Sequence, residues 1–149
     1  NVHLQSFLLS GDDKELFSRV TKGDADRSAI RNMRNHIFTK IYRAAALRAD
    51  QAEEVRRLLD SRRGAAIVCG DFNDTPISYA HRTIQGPLKD AYAASGRGVG
   101  ITYNENFFWF RIDNILHSAN MKPINCTVDK VRYSDHYPMW CYLQLKMDN

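Results

Sequence analysis

Between Gly64 and Gly70 runs an unbroken apolar stretch, Ala65-Ala66-Ile67-Val68-Cys69. A run so short and continuous, bounded by glycines, predicts a strand buried on both faces. The residues before it narrow the fold further. From about Ala29 to Ser61, apolar residues recur at three- and four-residue spacing: Ile37, Ile41, Ala44 or Ala45, then Val55, Leu58 and Leu59. That period, with abundant Ala, Arg, Glu and Gln, predicts one long helix or two abutting ones, stopped by Gly64. A long helix feeding a buried strand points to α/β layers rather than a helical bundle.

The rest of the chain supports that architecture. Val2 to Leu9 suits a short strand running into a loop, and Gly11-Asp12-Asp13 and Gly23-Asp24 read as turns. Asn73-Asp74-Thr75-Pro76 turns the chain into a short helix around Ser78 to Ile84, and Leu88 to Ala94 reads as another short element. Gly96, Gly98 and Gly100 mark a loop, without the strand and helix that frame a phosphate-binding fingerprint. The last third is β in character. Phe107 to Phe110 leads into Arg111 to His117, followed by Pro123 to Val128 and then Met139 to Lys146, where Cys141, Leu143 and Leu145 share one side.

At 149 residues the chain is long enough for one domain with its own core. Its 44% hydrophobic and 26% charged content is ordinary for a globular protein and argues against disorder. No run reaches the length of a membrane span. Asn1-Val2-His3-Leu4 lacks the basic start and long apolar run of a signal peptide. The chain opens on Asn1 inside an expected strand, which predicts that it is part of a longer polypeptide. The net charge of +4 mildly favours an anionic partner but is far from a dense basic stripe. Arg31, Arg34, Lys40, Arg43 and Arg48 read first as the wet side of the long helix and only second as a nucleic-acid face. Three cysteines have no metal-ligand spacing, their odd, sparse count argues against a disulfide framework, and Cys69 and Cys141 read as core thiols.

The chemistry concentrates in three places: Gly70-Asp71-Phe72-Asn73, Arg111-Ile112-Asp113 and Ser134-Asp135-His136. Each puts a carboxylate at or just beyond a strand. Asp71 and Asn73 lie two apart across a turn that can aim both at one pocket, although both types also simply form turns. A neutral His136 can take a proton from water if a carboxylate orients it, and Asp113 is the candidate. Asp135 is an unsuitable partner, because neighbouring side chains on an extended segment point to opposite faces, and it is free for another task such as a metal. Arg111 suits an ion pair at least as well as a phosphate contact. Taken alone, Asp135-His136 also reads as a solvated turn, and His3, which can donate to a phosphate, also reads as a structural His; His36, His81 and His117 carry no chemistry in this reading. Tyr103 and Asn104 are placed to line a cleft, and Trp109 and Trp140 read as core or rim.

Taken in order, these motifs resemble the endonuclease/exonuclease/phosphatase superfamily, which includes apurinic endonucleases, pancreatic-type deoxyribonuclease, neutral sphingomyelinases, deadenylases and inositol-polyphosphate 5-phosphatases. Asn1-Val2-His3-Leu4 is similar to its central His strand, and Gly70-Asp71-Phe72-Asn73 to its most recognisable signature. Gly100-Ile101-Thr102-Tyr103, Arg111-Ile112-Asp113 and Ser134-Asp135-His136-Tyr137-Pro138 match the segments that follow. The resemblance implies that residues 1–149 form a single unit, the C-terminal portion of a four-layer α/β sandwich with a mixed, mostly antiparallel sheet and flanking helices.

It implies site roles as well. His136 would be the base that activates water, Asp113 would hold its imidazole, and Asp71 would position the water or bind metal. Asn73 would stabilise phosphoryl oxygens or join the metal site, Asp135 would belong to that site, and His3 would contact the phosphate. The implied cofactor is Mg²⁺, with Mn²⁺ as substitute, because these are oxygen-seeking cations that retain water. The implied substrate is a phosphate ester: nucleic acid, a phospholipid head group or an inositol phosphate. Asn114 departs from the aromatic that many relatives carry there, and the family's early Asn and metal-binding Glu belong to a segment that precedes the His strand. Two other readings stand beside this one: a catalytically incomplete half-domain that self-associates through an exposed sheet face, and a basic nucleic-acid-binding module.

Overall fold

The structure, a computed structural model, describes residues 1–6, 19, 27–105 and 109–146. The expected turns at Gly11 and Gly23, the end of the Val2–Leu9 segment and the start of the Phe107–Phe110 segment lie outside these residues. Strand β1 (Val2–His3) is followed by the long helix α1 (Arg27–Asp60), strand β2 (Ile67–Asp71) and helix α2 (Tyr79–Gln85). Strand β3 (Lys89–Asp90), helix α3 (Ala91–Ser95) and strands β4 (Asp113–His117), β5 (Met121–Val128) and β6 (Met139–Leu145) complete the order. None of the described helices is long and apolar enough to cross a membrane.

The main sheet has strand order β1-β2-β4-β3. β1 runs parallel to β2, and both β2–β4 and β3–β4 are antiparallel. β5 and β6 form a separate antiparallel pair with an irregularity between Ile124 and Thr127, where Asn125 adopts φ 52°. The expected mixed, mostly antiparallel sheet with flanking helices is thus observed.

Helices α1 and α2 cover one face of the sheet. Leu4, Val68, Phe72 and Leu116 pack there against Ala52 of α1 and Ala80 and Ile84 of α2. Ser78 starts α2 by accepting a hydrogen bond from the His81 amide, which supplies one of the helix's otherwise unpaired donors. On the other face of β4, Ala91, Tyr92 and Cys126 are packed with Ile115, Val128, Met139 and Cys141. Each face of β4 therefore has its own apolar cluster.

Three expectations need correction. β2 is not buried on both faces: Val68 is 4% exposed, but Ile67 is 50% exposed and Cys69 lies at the surface. Cys69 is therefore no core thiol. Cys126 is the buried one, and burial together with Cys141 pushes its thiol up to about 12. Third, Arg48 is not on the wet side of α1. It occupies the buried stripe with Ala44 and Ala52, because its guanidinium finds the Asp74 carboxylate at 3.0 Å and the Gln5 carbonyl at 3.1 Å. That pairing compensates the cost of burying its charge and ties α1 to the turn after β2.

Candidate active site

β2 ends where β4 begins, and the antiparallel register sets Asp71 directly opposite Asp113. Facing residues in such a ladder hold their side chains on the same side of the sheet, about 5 Å apart at Cβ. The parallel register with β1 places His3 beside Asp71, its Nε2 3.6 Å from Oδ2. This close approach of β1 needs Gly70: its φ is +140°, and a Cβ there would overlap the carbonyl oxygen of Val2.

Asn73 clamps Asp71. Its backbone amide donates to Oδ1 at 2.7 Å, and its side-chain Nδ2 donates to Oδ2 and to the Leu4 carbonyl, both at 3.0 Å. The turn that permits this puts Asn73 at φ 49°, a left-handed conformation that Asn tolerates well. The amide thus faces Asp71 and β1, and contact with a phosphoryl oxygen requires it to turn out of these bonds.

His136 reaches the same place from the segment before β6. Its backbone forms a bridge with Tyr103, and the Tyr103 ring stands edge-on to the imidazole at 5.2 Å. Nδ1 of His136 lies 2.7 Å from Oδ2 of Asp113, and Nε2 faces Oδ2 of Asp71 at 4.0 Å. The hydrogen bond to Asp113 holds the imidazole above the ordinary histidine range; burial opposes it, and the charges of Asp113, Asp71 and Asp135 add to it. Burial raises the Asp71 carboxyl, and the Asn73 amide opposes that rise while the Asp113 charge adds to it. Asp71, Asp113 and His136 offer ligand atoms within 4.8 Å of one another.

The sequence-predicted residues thus meet in part. Asp71, Asn73, Asp113, His136 and His3 converge. Asp135 lies outside the group of three, exposed, with its Oδ1 accepting the Ser134 hydroxyl at 3.0 Å. Arg111 does not enter the site: it is buried in an ion pair with Asp90 and lies over the Tyr92 ring. Asn104 and Trp109 line a neighbouring cleft of about 600 Å³ with Glu105, Tyr133, Asp135 and Tyr137. Asp74, Asp90 and Thr102 also support the site; of these only Thr102 carries a sequence signal, its place in the Gly100–Tyr103 motif.

The sequence profile of the Endonuclease/Exonuclease/phosphatase family matches residues 6–136. The chain belongs to this family. No curated protein sequence matches it. Among solved structures, an endonuclease/exonuclease/phosphatase from Bacteroides vulgatus is 28% identical, with a TM-score of 0.59 over 68% of this chain and 45% of that one. A family protein from Bacteroides thetaiotaomicron is 24% identical, with a TM-score of 0.55 over 66% of this chain and 44% of that one. A mannosyl-6-phosphatase from the same organism is also 24% identical, with a TM-score of 0.52, covering 66% of this chain and 46% of its own. The last two show likeness of fold alone. The chain spans less than half the length of each of these relatives.

Proposed function

We propose that this chain is the C-terminal portion of a divalent-metal-dependent phosphoesterase and carries the water-activating half of its centre. The observation that carries the reading is the orientation of His136. Asp113 accepts the Nδ1–H bond, which fixes the tautomer and leaves Nε2 to accept a proton. Nε2 and Asp71 Oδ2 are 4.0 Å apart, a separation that one water can bridge. That water attacks phosphorus as its proton passes to Nε2, and the phosphorus–oxygen ester bond breaks, its electron pair leaving on the alcohol oxygen, which takes a proton from solvent. Asn73 keeps Asp71 in place, and the exposed His3 contacts a phosphoryl oxygen.

The residues fit a cation. Two facing carboxylates, one of them raised by burial and by its neighbour's charge, would gain from a bound cation. Asp71 and Asp113 would hold it, Asp135 and Asn73 would join only by turning toward it, and carboxylate oxygens suit Mg²⁺ or Mn²⁺. When bound, the ion neutralises charge on the phosphoryl and leaving oxygens.

The neighbouring cleft favours a compact substrate. Glu105 and Asp135 outnumber Arg132 there, which disfavours a polyanion, and the Trp109 and Tyr133 rings suit the apolar face of a sugar. We therefore place sugar phosphates ahead of nucleic acid, phospholipid head groups and inositol phosphates. The mannosyl-6-phosphatase neighbour is consistent with this order. The test is turnover by the full-length polypeptide with Mg²⁺ on mannose 6-phosphate, p-nitrophenyl phosphate, bis-p-nitrophenyl phosphate, sphingomyelin, inositol phosphates and DNA. Turnover lost in both His136→Ala and Asp71→Ala supports the mechanism; turnover unchanged in both overturns it.

A second reading has its own observation. Ile67 is exposed, and Cys69 lines an open cleft of about 580 Å³ with Ile115, Val131 and Met139, next to Asp113 and His136. Such an apolar surface favours self-association of the isolated chain. Light scattering decides it, and a monomer across the micromolar range removes it.

A further inference from the structure

Thr102 lies on neither β2 nor β4, is fully buried, and bonds to backbone on both sides of the site. Its Oγ1 accepts from the amides of Ile112 and Asp113, each at 3.1 Å. Its carbonyl accepts from the Tyr137 amide at 2.7 Å, directly after His136. Its own amide donates to the Phe110 carbonyl at 3.0 Å.

The two bonds to Oγ1 are informative. Consecutive amides of an extended strand point in opposite directions, so one oxygen can receive both only where the backbone bends. Thr102 therefore defines the bend at which β4 begins, and Asp113 is the first residue of that strand. We infer that Thr102 is a positioning residue: one side chain and one carbonyl anchor Asp113 and His136 to a common point and set the 2.7 Å contact between them.

The plain alternative is a core threonine that satisfies two amides and nothing more. The two ideas separate because valine has the same shape without the hydroxyl, and serine has the hydroxyl without the methyl. The inference rests on the proposed chemistry only for its consequence in rate. The anchoring itself has a spectroscopic readout, the downfield Nδ1 proton of His136 in its bond to Asp113.

In the full-length polypeptide, the experiment compares wild type, Thr102→Ser and Thr102→Val by proton NMR, with His136→Gln to assign the signal, and by kcat and KM on p-nitrophenyl phosphate with Mg²⁺. Serine is expected to retain the signal and kcat. Valine is expected to lose or shift the signal and to lower kcat at least about tenfold with KM little changed, as misplacement of a catalytic group does. An unchanged signal in folded Thr102→Val overturns the inference, as does loss of the signal in folded Thr102→Ser. If Thr102→Val fails to fold, the serine variant decides alone. A wild type that shows the signal but turns over no phosphate ester sinks the phosphoesterase reading, and the anchor still stands or falls on the NMR result.

Discussion

Arg111 and Asp90 meet in a buried, two-pronged ion pair, Nη1 to Oδ1 at 3.0 Å and Nη2 to Oδ2 at 2.6 Å. The same carboxylate caps α3 by accepting from the Tyr92 and Ala93 amides at 2.9 and 3.0 Å. Burial opposes ionisation of Asp90, but the Arg111 bonds, the Ala93 amide and the nearby positive charges outweigh it and hold the carboxyl below its usual range. Arg111 stands two residues before Asp113, so the pair fixes the approach to β4 from beneath the site.

Removing one partner strands the other charge in the interior. Arg111→Ala is therefore expected to cost about 3–5 kcal/mol in urea unfolding. Arg111→Lys should recover little, because an ammonium cannot form the planar fork. The depressed Asp90 value gives the pH sign: its contribution is present above the ordinary Asp value of 3.8 and is lost as pH falls through the lower folded value.

The His136–Asp113 contact predicts a pH profile. His136, the base in the proposed mechanism, must be neutral to take a proton, so kcat/KM of the full-length polypeptide should rise as pH passes a value above the ordinary histidine 6.5. Asp113→Asn removes the largest cause of that rise. Its profile should move toward lower pH while kcat falls about a hundredfold or more, since the carboxylate no longer fixes the tautomer. A profile that stays in place in this variant contradicts the pairing.

Local pattern made much of this site legible. Asp71, Asn73, Asp113 and His136 are each flagged by a turn or a strand end, and β-sheet register then brings them together. Long-range pairing is what stayed hidden. Asp90 is 21 residues from Arg111, and Asp74 is 26 from Arg48. Neither carboxylate looks different from a solvated one until the partner strand or helix is in place. For the same reason Arg48 read as wet: periodicity reports where a helix face points, but not that a carboxylate waits beneath it. β2 read as doubly buried because composition cannot tell which face receives a second layer.

Gly70 is a position at which shape alone predicts loss. Gly70→Ala puts a methyl group onto the Val2 carbonyl oxygen at a φ of +140°. A cost of about 2–4 kcal/mol is expected in chemical unfolding. Because the clash pushes β1 away, His3 should also leave Asp71, and the hydrogen-exchange protection of the Leu4 amide, now bonded to the Asp71 carbonyl at 3.0 Å, should fall. Retained protection with unchanged stability would show that β1 does not depend on this glycine.

His81 predicts acid sensitivity that does not come from the site. Its ring is 1% exposed, lies against Phe72 with centroids 5.7 Å apart, and has no hydrogen-bond partner for either nitrogen among the described residues. Burial pushes its pKa down and the Arg111 charge reinforces this; the Asp90 carboxylate, 3.7 Å from Nε2, opposes it, as does the neighbouring Asn114 side chain, which does not reach full hydrogen-bond geometry. The unfolded chain therefore binds the proton more readily than the folded one. The His81 contribution to stability is expected to be level at neutral pH, to decline once pH drops below about 6.5, and to stop declining below the folded value. His81→Phe keeps the ring packing and removes the proton, so its thermal midpoint should change less between pH 7 and pH 5 than that of wild type. Equal declines in the two proteins would place the acid sensitivity elsewhere.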